Sequence, residues 1–369
     1  ILGRLVGSEM CIRDSNYRDK LQILENRHLD LIEFFIPVTK QSEIISFLKS
    51  QINELEEVLE SLFTLNELTS KSLAKILSFG ETLSSTIIYS VLKHKECDIE
   101  LKDSRQIIFT KTVNDRVVVD HNKSEKKTKA FLNENNSKNI LIPGFIAQDE
   151  DGNTTTLGRG GSDLTSSLLA NYSNADQLEI WTDVSGMFTA HPKLVSQAIP
   201  ISNLSYHEAM ELSHFGAKVI YPPTLQPLID KNIPVIIKNT FEKNAKGTLI
   251  NADGSSLLDG HTVKGISHIE DVALISLEGS GMIGIPGFSK RFFECLSNKQ
   301  INIIMITQAS SEHSICIGVS SKDSAMAKKT IDDNFAFEIS VQKVNPAKIE
   351  LDMTNIAVVG DRMKDHQGI

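Results

Sequence analysis

The chain has 369 residues, which is enough for about two to three domains and a sizeable core. Its 40% hydrophobic and 23% charged residues are ordinary for a globular protein and exclude a predominantly disordered chain. A formal net charge of −9 excludes a general nucleic-acid-binding or membrane-surface protein, because those functions need a basic surface.

Cysteine usage and hydropathy predict the compartment. The 4 cysteines are far apart, and none has a second cysteine or a histidine at zinc-ligand spacing. We therefore expect free thiols, no metal site and a reducing cytoplasm. No apolar run approaches the ~20 residues of a membrane span, and no signal peptide is recognised, so no membrane partner is expected.

The N-terminal part is predicted to be helical. From Arg18 to Leu77 apolar residues recur at three- and four-residue steps, which indicates a stack of amphipathic helices. The segment Ser78–Glu81 is predicted to interrupt this pattern before an apolar-faced segment that starts at Leu83. At the start of that helix, the Glu81 carboxylate either faces a ligand amine or supports the helix dipole.

A glycine-rich stretch from Thr154 to Ala170 is the strongest local signal for an anion site. Its glycines permit close approach of backbone N–H groups, and the apolar pattern after them indicates a helix N-terminus, which favours phosphate or carboxylate. Arg159 can add a bidentate contact to a carboxylate, and Ser162 and Asp163 are predicted helix N-caps. The alternative is a tight turn with a solvated arginine.

Strands, loops and helices alternate in the middle of the chain. This predicts an α/β fold with helices on both faces of a mostly parallel sheet, in which ligands bind at the carboxyl ends of strands. Thr182 and Asp183 end the strand at 177–184 and are candidates for such a site. Further on, Lys218 is either solvated or held against a phosphate, and His191 is read as structural rather than catalytic. A linker is predicted at 247–260.

The C-terminal part has a β-α-β-β-α pattern that is typical of a small ferredoxin-like module. Its elements are predicted at 272–277, 288–296, 301–306, 314–319 and 325–333. The motif at 275–288 recurs at 356–369 with a constant offset, so a second copy is expected to begin there and the C-terminus is interpreted as a truncation. At the other end, the segment 2–15 is similar to translated adapter sequence, and the natural chain is expected to enter near Asn16.

Four segments, in this order and at this spacing, are similar to aspartate kinases. They are Ser78–Glu81, Leu157–Asp163, Trp181–Met187 and Gly216–Val219. The stretch 306–315 resembles the ACT regulatory domains of bifunctional aspartokinase–homoserine dehydrogenases. The resemblance implies an amino-acid kinase fold at 16–255, an ACT domain at 266–348 and the start of a second, incomplete ACT domain at 349–369.

The activity implied by this resemblance is transfer of the ATP γ-phosphoryl group to the β-carboxylate of L-aspartate, the first step of aspartate-family amino-acid biosynthesis. Arg159 would clamp the substrate α-carboxylate and Glu81 would receive its amino group. The loop around them would be ordered by Gly160, Gly161, Ser162 and Asp163. The nucleotide, with Mg²⁺, would be held by Thr182, Asp183, Phe188, Lys193 and Lys218, and the catalytic residues would be Lys218 and Asp163.

The resemblance also implies regulation by an amino acid, expected to be threonine, at Met282, Gly287 and Gln308, and a homo-oligomer formed through ACT domains. The family's N-terminal Lys-Phe-Gly-Gly-Thr segment is absent from the chain, Phe188 replaces a common tyrosine, and Arg362 stands where a small residue is usual. Two alternatives stay open: a kinase acting on glutamate or acetylglutamate, and a non-catalytic amino-acid sensor.

Overall fold

A computed structural model describes residues 17–114, 116–135, 139–214, 219–254, 263–308 and 313–360. The described residues form two compact units. The first contains residues 17–186, 202–210 and 219–254, and the second contains 187–201, 211–214 and the chain from 263 onward. Lys218, which is predicted to be catalytic, lies outside the described residues, and so does Arg362.

Three long helices open the first unit: α1 (Tyr17–Phe35), α2 (Gln41–Leu65) and α3 (Ser70–His94). Each buries an apolar stripe in a common core, as the amphipathic pattern predicts. The α2 stripe is Ile44, Leu48, Ile52, Leu55, Leu59 and Leu62. Asn66, in the left-handed conformation, ends α2, and the Thr69 side chain caps α3 by accepting the Ser72 N–H.

The predicted interruption at Ser78–Glu81 is wrong, because α3 runs through it without a break. Its buried residues Phe79 and Leu83 continue one stripe on either side of Gly80. A glycine in a helix interior costs only about 1 kcal/mol relative to alanine, which is less than burial of either side chain contributes. Glu81 therefore lies in the middle of a helix, and the helix-dipole interpretation of its carboxylate is also wrong.

The α/β part of the first unit follows α3. Its strands are β1 (Ile99–Leu101), β2 (Thr110–Val113), β3 (Arg116–Val119), β4 (Asn139–Leu141), β5 (Ile146–Gln148), β6 (Thr154–Thr156), β7 (Leu178–Thr182), β8 (Asn203–Ser205), β9 (Val235–Asn239) and β10 (Thr248–Asn251). Its helices are α4 (His121–Glu134), α5 (Gly161–Ser173), α6 (Tyr206–His214), whose residues 211–214 belong to the second unit, and α7 (Gln226–Ile229).

The sheets of this part contain both parallel and antiparallel pairs, and β9 and β10 are antiparallel. The order of the four-stranded sheet is β7-β9-β10-β8, with β7–β9 and β10–β8 parallel, and β1 pairs with β4 in parallel. Strand β10 lies inside the predicted linker, so that prediction is wrong at Thr248–Asn251: Gly247 turns the chain at φ 74°, and the residues after it are alternately buried. Before β2, Ser104–Gln106 form a short helical turn, and Phe109 makes an isolated parallel bridge with Gln148.

The second unit is a four-stranded antiparallel sheet with two main helices on one face. Its elements are β11 (Gly265–Glu278), α8 (Phe288–Asn298), β12 (Ile303–Gln308), β13 (Ser314–Ser320), α9 (Ser324–Asn334), α10 (Ala336–Ser340) and β14 (Lys348–Val359). The strand order β12-β13-β11-β14 confirms the predicted ferredoxin-like arrangement, but its fourth strand, β14, comes from the segment that was predicted to begin a second copy. Strand β14 pairs with both halves of β11, and the register shifts near Asp271 and Asp352, which both have positive φ.

Candidate functional site

The glycine loop enters α5 through a left-handed glycine. Gly158 and Gly160 have φ of 70° and 66°, and Gly160 is the residue that caps the helix. Ser162 and Asp163 lie inside the first turn, and neither side chain caps the helix, so the prediction that they are N-caps is wrong. The physical reason is the backbone conformation at Gly160, which glycine adopts without strain. The helix therefore begins at Gly161, before the two predicted caps.

A second segment holds the loop in place. The Leu157 N–H donates to the Phe145 carbonyl at 2.8 Å, and the Phe145 N–H donates to Thr165 Oγ1 at 3.0 Å. Thr165 Oγ1 in turn donates to the Gly161 carbonyl at 2.9 Å. A Cβ on Gly161 would come within 2.8 Å of the Phe145 ring, so this glycine is required for close packing. Sequence reasoning missed Phe145 and Thr165, since their role depends on contact across the turn.

Arg159 lies between the two left-handed glycines and is exposed. No side chain in the described part of the chain forms a hydrogen bond or ion pair with its guanidinium. An uncompensated cation next to the free N–H groups of a helix N-terminus suits a carboxylate or phosphate. The geometry therefore supports the anion-binding interpretation over a turn that merely carries a solvated arginine.

Glu81 and Asp163 are carboxylates that lack a cation partner among the described residues. Burial raises the pKa of both groups above their ordinary values. Helix α3, which carries Glu81, packs against β6, the strand immediately before the glycine loop. A half-buried carboxylate without a partner is stabilised in its charged form by an incoming ammonium group, which is the role expected for Glu81.

Replacing Glu81 with glutamine should stabilise the fold at neutral pH. A carboxyl whose pKa is raised on folding binds more protons in the folded state, so its ionisation disfavours folding increasingly as the pH rises above 4.5. We expect Glu81→Gln to raise Tm by about 1 to 2 °C at neutral pH, a small shift because solvent screens a half-buried group. The difference should vanish below pH 4.5.

Calorimetric or fluorescence melting across pH would measure this difference. Glu67→Gln, at an exposed position, is the matched control and should leave Tm unchanged at every pH. A Glu81→Gln protein that melts below wild type at neutral pH would show that the carboxylate is stabilised in the folded state, contrary to this reasoning.

Thr182 and Asp183 lie at the carboxyl end of β7, where the alternating pattern places them. The Thr182 hydroxyl donates to Asp183 Oδ1 at 3.2 Å, and the Thr182 carbonyl accepts the Thr240 N–H at 2.8 Å. Phe188 and Lys193 belong to the segment 187–201 of the second unit, whereas Glu81, Arg159, Asp163, Thr182 and Asp183 belong to the first.

The three predicted effector residues line one small cavity in the second unit. Met282, Gly287 and Gln308 surround a volume of about 130 Å³, roughly four times the ~30 Å³ of a water molecule in the liquid. The first turn of α8 contributes Ser289 and Lys290, which sequence reasoning missed although they directly follow Gly287. An ammonium and a helix N-terminus on one wall would suit the carboxylate of a small amino acid.

A larger cavity of about 1020 Å³ lies in the first unit, beside the α3 face that begins at Thr82. Its lining is rich in hydroxyl groups and includes the cations Lys40, Lys93 and Arg105. Among the described residues, no helix has the length and apolar content that a bilayer span needs, and no cluster of His, Cys, Asp and Glu side chains could hold a metal ion.

Comparison with known proteins defines the class. A model of the amino acid kinase family matches residues 18–239, and an ACT domain model matches residues 275–335. The first match covers more than half of the chain, so the chain belongs to the amino acid kinase family. The predicted order of an amino-acid kinase fold followed by an ACT domain is confirmed.

Its relatives are aspartokinases. The chain is 34% identical to the bifunctional aspartokinase/homoserine dehydrogenase of Haemophilus influenzae, with 96% of this chain and 43% of that protein aligned. It is 31% identical to the chloroplastic bifunctional aspartokinase/homoserine dehydrogenase 1 of Arabidopsis thaliana, with 97% and 40% aligned. The chain thus spans about two fifths of the length of these relatives.

The fold also matches solved structures of E. coli aspartokinase III. The complex of that enzyme with aspartate and ADP aligns with a TM-score of 0.80 at 24% identity, covering 96% of this chain and 78% of the other. The complex with lysine and aspartate aligns with a TM-score of 0.70 at 26% identity, covering 94% and 75%.

Proposed function

We propose that this protein is an aspartate kinase, which transfers the γ-phosphoryl group of ATP to the β-carboxylate of L-aspartate and forms 4-phospho-L-aspartate. The observation that carries the proposal is the Arg159 guanidinium, which has no partner in the described part of the chain and lies on a rigid glycine loop at a helix N-terminus. The names of the relatives support the same substrate.

The charges of the site match those of aspartate. Arg159 would bind the α-carboxylate through two parallel hydrogen bonds, and Glu81 would bind the α-ammonium group. These two contacts would orient the β-carboxylate toward the nucleotide, and Ser162 and Asp163 would order the loop when substrate binds. Phosphoryl transfer needs this positioning and cations against the developing charge, and no covalent nucleophile from the protein.

ATP is the proposed phosphoryl donor, with Thr182, Asp183, Phe188, Lys193 and Lys218 as its binding residues. Lys193 and Lys218 are cations suited to the phosphates, and Phe188 offers a stacking face to the base. Mg²⁺ is expected on the nucleotide phosphates. When bound, Mg²⁺ would neutralise phosphate charge during transfer.

We further propose that an amino acid, expected to be threonine, binds in the cavity formed by Met282, Gly287 and Gln308 and shifts the kinase between states of different activity. Lysine appears in the name of one aligned complex, so it is the competing candidate. The proposed assembly is a homo-oligomer through ACT domains, and the proposed compartment is the cytoplasm.

A substrate panel tests the proposal. ADP release and hydroxamate formation would be measured with L-aspartate, L-glutamate and N-acetyl-L-glutamate, on the chain and on a version with an added N-terminal Lys-Phe-Gly-Gly-Thr segment. We expect turnover with L-aspartate alone. Preference for either glutamate compound would identify another amino acid kinase. Threonine binding by calorimetry without ATP binding would identify an amino-acid sensor.

A further inference from the structure

The segment Met187–Ile201, here called the nucleotide loop, is closed at its base by its own backbone. The Thr189 N–H donates to the Ile199 carbonyl at 2.9 Å, and the Ile201 N–H donates to the Met187 carbonyl at 2.7 Å. The Thr189 hydroxyl also accepts the Ile199 N–H at 3.1 Å. These bonds fix both ends of the loop but do not reach its tip.

Strand β11 of the ACT sheet docks onto this base. The Ile266 N–H donates to the Thr189 carbonyl at 2.8 Å. A Cβ on the neighbouring Gly265 would lie 2.9 Å from Leu212 Cδ2 and 3.4 Å from the Thr189 carbonyl oxygen, so the strand lies close to this base. The nucleotide loop is therefore attached to the first strand of the ACT sheet, within a single compact unit.

His191 organises the tip of the loop. Its Nδ1 accepts the Lys193 N–H at 3.3 Å, and its carbonyl accepts the N–H groups of Leu194 and Val195, each at 3.0 Å. The side chain and carbonyl of His191 thus set the turn from which Lys193 projects. The His191 ring meets the ring of His268, on β11, edge to face, with centroids 5.7 Å apart and planes at 77°. His268 Nε2 also lies 3.4 Å from Glu270.

We propose that His268 is a positioning residue for ATP: its ring holds His191, and His191 fixes the turn that presents Lys193 to the phosphates. The inference rests on the proposed nucleotide role of Lys193. An edge-to-face aromatic pair is strong enough to change affinity by about three- to tenfold when it is removed. Because β11 carries the contact, a residue of the ACT sheet would contribute to ATP affinity without touching ATP.

Nucleotide binding by the full chain tests the inference. Trp181 is the single tryptophan, next to Thr182, so its fluorescence can report titration with MgATP. We expect His268→Ala to weaken MgATP binding about three- to tenfold and to leave L-aspartate binding unchanged. His268→Phe, which keeps a ring edge, should retain most of the affinity. Glu270→Gln removes the neighbouring carboxylate but not the ring contact, and should match wild type.

A double-mutant cycle separates positioning from general damage. His191→Ala and His268→Ala should be strongly non-additive, because each removes the same contact. Additive effects, or equal loss of MgATP and L-aspartate binding in His268→Ala, would overturn the inference. Lys193→Ala tests the underlying function: if it leaves MgATP affinity unchanged, the nucleotide role of the loop fails. If Lys193→Ala weakens binding and His268→Ala does not, the positioning role alone fails.

Hydrogen exchange gives a readout that does not depend on nucleotide. The amides of Lys193, Leu194 and Val195 are bonded to His191, so they should exchange several-fold faster in His268→Ala than in wild type. His268→Phe should restore slow exchange. Unchanged exchange in His268→Ala would contradict the proposal even for a protein that binds no nucleotide.

Discussion

Arg159→Ala is expected to raise the KM for L-aspartate about 100-fold while leaving the KM for ATP and the Tm near wild-type values. Loss of a bidentate, charge-assisted contact to a carboxylate costs about 2 to 4 kcal/mol, and each 1.4 kcal/mol is about tenfold in affinity. Arg159 is exposed and makes no ion pair among the described residues, so its removal leaves no partner unsatisfied. Steady-state kinetics together with thermal melting would measure both quantities.

Two variants sharpen this test. Arg159→Lys keeps the positive charge but loses the planar fork, so it should recover only part of the aspartate affinity. Arg27→Ala removes another exposed arginine, on α1, and should leave both KM values unchanged. An aspartate KM that does not move in Arg159→Ala would remove the guanidinium from the substrate site and with it the main support for the proposed function.

Much of the fold follows from periodicity in the sequence. The buried stripe of α2 and the alternating burial of β9 are direct consequences of three- to four-residue and two-residue spacing. The prediction failed where a local signal opposed such a pattern. Gly80 suggested a break, but the apolar stripe of α3 continues across it, and tertiary packing outweighs the propensity of one residue.

The start of α5 shows what the sequence left open, which is the local backbone geometry. Gly160, Ser162 and Asp163 all lie at the start of α5, yet which of them caps the helix depends on the backbone angle at Gly160. Support of the loop by Phe145 comes from a segment more than ten residues away, and no local pattern encodes that contact. For the same reason, attachment of the loop 187–201 to β11 was not visible before the chain was folded.

The cavity proposed to bind an effector shows the opposite case. Met282, Gly287 and Gln308 were identified by resemblance alone, and the structure brings them to one cavity in the second unit. Met282 and Gly287 lie between β11 and α8, and Gln308 ends β12, so the antiparallel order of the sheet is what makes them neighbours. A correct fold class was sufficient here, because the residues lie at the ends of elements.

Phe292→Ala should be the most destabilising single substitution considered for the second unit, at about 3 to 5 kcal/mol. Phe292, on α8, is 0% exposed and packs in the core of the second unit, with its ring centroid 6.5 Å from that of Phe335. Removing it leaves a cavity that the rigid sheet cannot fill by collapse. Denaturant unfolding would give the loss of free energy, and hydrogen exchange would locate it.

The loss of stability should be confined to the second unit and should include the proposed effector cavity. Phe288, one turn before Phe292, stacks on Phe335 at 4.6 Å and lines that cavity, so Phe292→Ala should also weaken effector binding. Exchange should accelerate in α8 and α9 but not in α2, whose residues belong to a separate core. Phe337→Ala is the matched control: its side chain is 73% exposed, so its effect should stay within about 0.5 kcal/mol. Equal destabilisation by the two substitutions would contradict the assignment of Phe292 to the core.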